Sequence, residues 1–256
     1  MVTPSDIERA RDFDHRFAKA QATELVELGW GYAALQADFP LSEYHNRIAV
    51  TSEAPASDIM EATEEILGAA GLAHRYISAD DDLGERLTPA FLEAGYEHEP
   101  IVTMIYQGGE PAAPAHPVLS VSNEVLRPAV IRDWLVTIPD ATDEHLSQLA
   151  DRHSLYTRGA DLELLAVYDG TEIASRANLY IDRVDHIAQF ENLVTHVDFQ
   201  GRGYARALLC EALRLGRNAG ANLSILTADP GDWTSEWYRR VGYVEAGVTH
   251  HFNQRS

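Results

Sequence analysis

The strongest constraint in the sequence is an internal repeat. Ala70-Gly71-Leu72-Ala73-His74-Arg75-Tyr76-Ile77-Ser78-Ala79-Asp80 lies over Ala219-Gly220-Ala221-Asn222-Leu223-Ser224-Ile225-Leu226-Thr227-Ala228-Asp229. A helical pattern precedes each stretch, at about 57–69 and 203–218. A short helix, a Gly-Tyr pair (Gly95-Tyr96 and Gly242-Tyr243) and a strand follow each. The identities are few, but the shared order of elements points to an old duplication. The chain is therefore expected to hold two copies of one α/β (α+β) unit. Between them, residues 107–117 crowd Gly, Pro and Ala and lose apolar periodicity, which reads as a linker. The predicted division is 1–108, a linker at 109–117, and 118–256.

Composition narrows the function classes. Hydrophobic residues make up 45% of the 256, enough for a packed core. No run approaches the roughly 20 apolar residues of a membrane helix, so no membrane partner is expected. The polar, acidic start resembles neither a secretory signal nor a transit peptide. The single cysteine, Cys210, fits a reducing compartment, and a cytoplasmic location is expected. A formal net charge of −20 argues against a nucleic-acid partner and favours cationic small molecules. The same acidity also serves solubility.

The second half is the more legible. Residues 118–127 alternate like a strand, and Pro128 is placed to open a helix. Helical spacing covers 128–137 and 142–156. A strand at 162–168 meets the hairpin signal Asp169-Gly170. Strands at 172–181 and 186–197 follow, then a Gly-rich loop and a helix over 203–218. A strand at 222–228, a helix at 233–241 and a strand at 242–252 complete the order.

The loop Gln200-Gly201-Arg202-Gly203-Tyr204-Ala205 sits between strand and helix. Its glycines allow a tight turn, and successive backbone N–H groups can converge at the positive end of the helix. A pyrophosphate suits that concavity, with Arg202 and Arg206 adding charge. A Gly-x-Gly turn that opens a helix with no ligand fits equally well. In the first copy, Ser52-Glu53-Ala54-Pro55-Ala56-Ser57 occupies the same place without glycine or arginine. One anion site per chain is expected.

The stretch 191–205, with Gln200, Gly203 and Ala205 at the positions of a Q/R-x-x-G-x-G/A signature, resembles the GNAT (Gcn5-related N-acetyltransferase) superfamily. Tyr238-Arg239-Arg240-Val241-Gly242-Tyr243 resembles the later Y-x-x-x-G-F/Y segment of that family. The resemblance covers about 119–252. It implies two GNAT-like domains, each a mixed, mostly antiparallel sheet flanked by helices, with a splayed central strand pair in the C-terminal one and the N-terminal copy degenerate.

The resemblance further implies acetyl-CoA as the acyl donor. Leu193, Val194 and Thr195 would bond the pantetheine arm, and Gln200, Gly201, Arg202, Gly203, Tyr204, Ala205 and Arg206 would hold the pyrophosphate. The family often has an asparagine seven residues before the tyrosine, where this chain has Gly231. N-acylation needs a neutral amine, aligned reactants and a proton for the thiolate. Tyr238 matches the family's general acid. Glu191 lies where the family often keeps a carboxylate, and His186 and His196 are alternative bases.

Trp134, Tyr156, Arg158, Tyr180 and Trp233 are candidate acceptor-pocket walls, and Asp161, Glu163, Asp182 and Asp185 are candidate attractors for a cationic amine. Cys210 falls on an apolar helical stripe and reads as packing. His250 and His251 are adjacent and point to opposite sides of a strand, and no metal site is expected. The reading is an N-acetyltransferase acting on a small-molecule amine, as monomer or homodimer. The alternatives are a non-catalytic acyl-CoA sensor and acetylation of a peptide or protein amine.

Overall fold

The computed structural model describes residues 2–255. In chain order its elements are α1 (Pro4–Gln21), β1 (Glu24–Leu28), β2 (Gly31–Leu35), β3 (Arg47–Val50), α2 (Ala56–Ala69), β4 (His74–Asp80), α3 (Asp81–Glu93) and β5 (Glu97–Tyr106). Then come β6 (Leu119–Ser120), α4 (Asn123–Thr137), α5 (Asp143–Asp151), α6 (His153–Tyr156), β7 (Asp161–Asp169), β8 (Glu172–Asp182), β9 (Ile187–Thr195), α7 (Tyr204–Asn218), β10 (Leu223–Ala228), α8 (Trp233–Val241) and β11 (Tyr243–Arg255). The fold is mixed α/β, with mostly antiparallel strand pairs.

Two compact units emerge, and they do not follow chain order. One comprises the chain up to Phe17, then Ile105–Thr227 and Tyr238–Val244. The other comprises Ala18–Met104, Ala228–Trp237 and the chain from Glu245 on. The ends are thus exchanged relative to a division at the linker. The reason for one end lies in strand pairing. Thr249 to Arg255 of β11 run antiparallel to Asp80 to His74 of β4, a register no local pattern encodes.

In the unit containing β4, the sheet order is β1-β2-β3-β4-β11-β5. Its core is built from Ile48, Val50, Ile59, Ile77, Leu87, Phe91 and Phe252, all buried. β3 and β4 run parallel and pair at Ile48–Ile77, Ala49–Ser78 and Val50–Ala79. In the other unit, the order is β10-β9-β8-β7-β6. There α7 buries Ala207, Leu208, Leu209, Cys210, Ala212 and Leu213, an apolar stripe at helical spacing. On the opposite side, Leu126 and Val130 of α4 pack with Leu164 and Ala166 of β7.

The repeat is visible in the backbone. α2 and α7 end alike, on Ala70 and Ala219 at φ −75°, ψ −2° and φ −78°, ψ −2°. Each is followed by a glycine in the left-handed region, Gly71 at φ 74° and Gly220 at φ 92°. The glycines of the two Gly-Tyr pairs, Gly95 and Gly242, also have positive φ, 86° and 117°.

One predicted element is corrected. The alternating stretch 118–127 forms a strand only at Leu119–Ser120 before α4 begins. Ser122 caps that helix, its hydroxyl accepting from Val125 N at 3.3 Å. The cap outweighs the alternation, and Pro128 lies inside the helix rather than opening it. Exposed Glu124 is four residues back, so the carbonyl left without a donor can meet water.

Candidate active site

The site grows from a defect in the strand that leads to the Gly-rich loop. β9 pairs with β8 through Asn178–Glu191 and then Arg176–Val194, so Asn192 and Leu193 together oppose Ala177. This is a β-bulge. Asn192 takes φ 55°, a conformation that asparagine tolerates better than most side chains. Its amide donates to the Tyr180 hydroxyl at 3.2 Å, as does Asn178, tying the kink to the core.

On the other edge, β9 runs parallel to β10 from Ile187–Leu223 to Phe190–Leu226. Beyond that pair, residues 191–195 continue along β8 alone. The strands part at Glu191. In the first copy, β3 and β4 stay paired to the last residue of β3, Val50.

Glu191 fills the parting. Its Oε1 accepts from Thr227 N at 2.9 Å, from Thr227 Oγ1 at 2.8 Å and from Gln189 Nε2 at 2.8 Å. Among the described residues all three of these donors reach Oε1 and none is found on Oε2. Burial pushes the carboxyl up to about 7. The hydrogen bonds from Gln189 and Thr227 oppose the rise, and repulsion from Asp14 on α1 adds to it. A carboxylate poised near neutrality with one free oxygen can take a proton from a substrate.

Tyr238 is buried on the last turns of α8, edge-on to Tyr243 with ring centroids 5.9 Å apart. Burial holds the Tyr243 hydroxyl well above its ordinary range, and the charges of Tyr238 and Glu191 act on it in the same sense. Tyr238 and Glu191 thus both act electrostatically on Tyr243. The Tyr243 hydroxyl is itself buried without a hydrogen-bond partner among the described residues. Sequence reasoning used Tyr243 only as part of a motif, and its aromatic identity was the one available signal.

The loop forms a left-handed start to α7. Gly201 has φ 77°, and Gly203, at φ 84°, is the residue before the helix. The first helical bond runs from Ala207 N to Gly203 O at 3.1 Å. The amides of Tyr204, Ala205 and Arg206 thus lie ahead of any helical acceptor, facing outward at the positive end of the dipole.

The charges expected there divide. Arg202 is held by Asp169 of β7, and its guanidinium also donates to Asp198 O at 3.1 Å. Tyr204 donates to the same Asp169 carboxylate at 3.0 Å. Arg206 is exposed. His116, from the linker, contacts Arg202 O through Nε2 at 3.0 Å and packs on the Tyr204 ring. Composition marked that linker only as a spacer.

Leu193, Val194 and Thr195 lie on the stretch of β9 that runs beside β8 but has lost β10 on its other edge. Ser175 donates to Val194 O at 3.1 Å, and Gln200 Nε2 donates to Thr195 O at 3.3 Å.

The remaining candidates are dispersed. His186 sits in the β8–β9 turn at the opposite end of β9 from the loop, and His196 lies beside Asp198. Tyr156 and Tyr180 are buried and packed against Phe17 of α1. Trp134 lies beneath Arg152, Arg158 is exposed, and Gly231 and exposed Trp233 fall in the other compact unit. The acidic candidates are engaged within the chain: Asp182 and Asp185 by Arg16, Asp161 by Arg183 and Glu163 by Ser120. Cys210 is buried, and burial raises its thiol. No group of His, Cys, Asp or Glu side chains among the described residues is arranged to hold a metal. No helix among them is long and apolar enough to cross a membrane.

Residues 161–245 match the family model for the acetyltransferase (GNAT) domain. The chain is similar in fold to a GCN5-related N-acetyltransferase from Kribbella flavida, with a TM-score of 0.67 at 16% identity over 97% of this chain and 96% of that one. It is also similar to a conserved protein of unknown function from Staphylococcus epidermidis (TM-score 0.66, 16% identity, 92% and 94% covered). A third is a putative GNAT-family acetyltransferase from Novosphingobium aromaticivorans (TM-score 0.61, 14% identity, 95% and 96% covered). No curated protein matches the chain. The family match is confined to residues 161–245, and the solved structures extend the likeness in fold to nearly the whole chain.

Proposed function

We propose that this protein transfers an acetyl group from acetyl-CoA to the amine of a small molecule by direct attack. The observation that carries the reading is Glu191, a carboxylate raised to about 7 with one free oxygen, at the point where β9 leaves β10. In the proposed reaction the amine nitrogen attacks the thioester carbonyl, forming C–N and releasing C–S. Glu191 takes the amine proton, and Tyr238 protonates the departing thiolate. The amides after Gly201 hold the pyrophosphate, and the edge of β9 that β10 leaves open offers backbone to the pantetheine arm. The net charge of −20 favours a cationic acceptor approaching from a distance. The work is cytoplasmic in this reading and needs no metal.

Thiol release from acetyl-CoA across a panel of primary amines, polyamines and N-terminal peptides tests this. Release that depends on a small amine supports it. Release only with peptides moves the acceptor class. Tight acetyl-CoA binding with no release for any amine identifies a sensor instead.

A further inference from the structure

Leu226 and Phe190 form the last rung between β10 and β9. The next residues on each strand, Thr227 and Glu191, do not pair through their backbones. The Thr227 N–H is turned instead onto Glu191 Oε1, at 2.9 Å, and the Thr227 hydroxyl reaches the same oxygen at 2.8 Å. Gln189, two residues before Glu191 on its own strand, adds Nε2 at 2.8 Å. All three donors converge on one oxygen. A carboxylate on a flexible stem has several rotamers and two equivalent oxygens. Three donors on Oε1 select one rotamer and leave the lone pairs of Oε2 for a substrate. Fixing such a side chain in advance removes its ordering cost from the reaction.

We infer that Thr227 is a positioning residue: its hydroxyl and N–H hold Glu191 by one oxygen so that the other faces the acceptor amine. The inference rests on the reading of Glu191 as the base. It explains why a hydroxyl-bearing residue stands where the strands separate, since an aliphatic one of the same shape would supply only the N–H. The matching residue of the first copy, Ser78, stays inside a paired stretch opposite Ala49.

The test is Thr227→Val, which removes only the hydroxyl donor, with Thr227→Ser as the conservative rescue. The Glu191 carboxyl is followed by carbon-13 NMR in glutamate-labelled protein, its resonance assigned by loss in Glu191→Gln. Thr227→Val should raise the Glu191 titration by about one pH unit, a tenfold change in proton affinity, within the range of one hydrogen bond to a charged group. Thr227→Ser should restore the wild-type value. With the amine selected by the thiol-release panel, the acid-side break of kcat/KM should move by the same amount while KM for acetyl-CoA stays unchanged. A wild-type titration in Thr227→Val, or failure of Thr227→Ser to restore it, overturns the inference. If Thr227→Val does not fold, the comparison passes to Thr227→Ala and Thr227→Ser, read the same way. If Glu191→Gln keeps full turnover, the base assignment fails separately, because the NMR titration needs no catalysis.

Discussion

Glu191 should make this protein less stable as the pH rises through neutrality, and Glu191→Gln should remove that penalty. The side chain has a reference value of 4.5 and is raised to about 7 in the folded state. A group whose folded value lies above its unfolded value contributes stability that is fully present below the unfolded value. That stability is lost as the pH rises through the folded one. Between pH 5 and pH 8 the linkage relation gives a loss of about 2.5 kcal/mol from this residue alone, at 1.36 kcal/mol per unit. Glutamine has nearly the same shape and no titration. The charged character of the Glu191 hydrogen bonds is already contained in the folded value of about 7, and any change in packing or neutral hydrogen bonding cancels between the two pH values. The quantity to measure is therefore a double difference: unfolding free energy from urea titration, variant minus wild type, at pH 8 minus the same at pH 5. It should favour the variant by about 2.5 kcal/mol. A double difference near zero would refute the claim that burial in the strand parting holds this carboxyl near neutrality.

Further outcomes follow from other contacts. Tyr238→Phe should lower acetyl transfer by about 10²–10⁴-fold, the usual range for a lost acid or base, while acetyl-CoA affinity measured by calorimetry stays near wild type. Gly203→Val should abolish acetyl-CoA binding. It forces a β-branched residue to φ 84° and sets a Cβ 3.6 Å from the His116 ring, and circular dichroism should show the rest of the fold intact. Asp133→Ala should cost about 3–5 kcal/mol in denaturant unfolding. It strips the partner from Arg176, whose Nε donates to Asp133 at 2.8 Å with both side chains 5% exposed.

Much of the fold is legible in the chain because its signals are local. Asp169-Gly170 reads as a hairpin, and Gly170 takes φ 61° there. The helix expected at 233–241 is α8, Trp233–Val241. The features that escape are those with no local signature. The splay of this strand is implied by the resemblance, but its position at Asn192 is fixed only by the register against β8. The assignment of α1 up to Phe17 to the unit of β7–β10 depends on packing of Phe17 against Tyr156 and Tyr180, far away in sequence. The candidate site divides along the same line. Glu191 and Tyr238 can be singled out by motif, whereas the elevated carboxyl and the donors Thr227 and Gln189 exist only once the strands are placed. Asp169 could be read as a turn residue, but its hold on Arg202 and Tyr204 could not.

One acetyl-CoA site per chain, at the loop 200–206, is the central expectation. Isothermal titration of the purified protein with acetyl-CoA measures this directly, with Gly203→Val as the paired variant. Saturation at one acetyl-CoA per chain, absent in the variant, is the predicted result. No binding by the wild type, two sites per chain, or undiminished binding by the variant would contradict it.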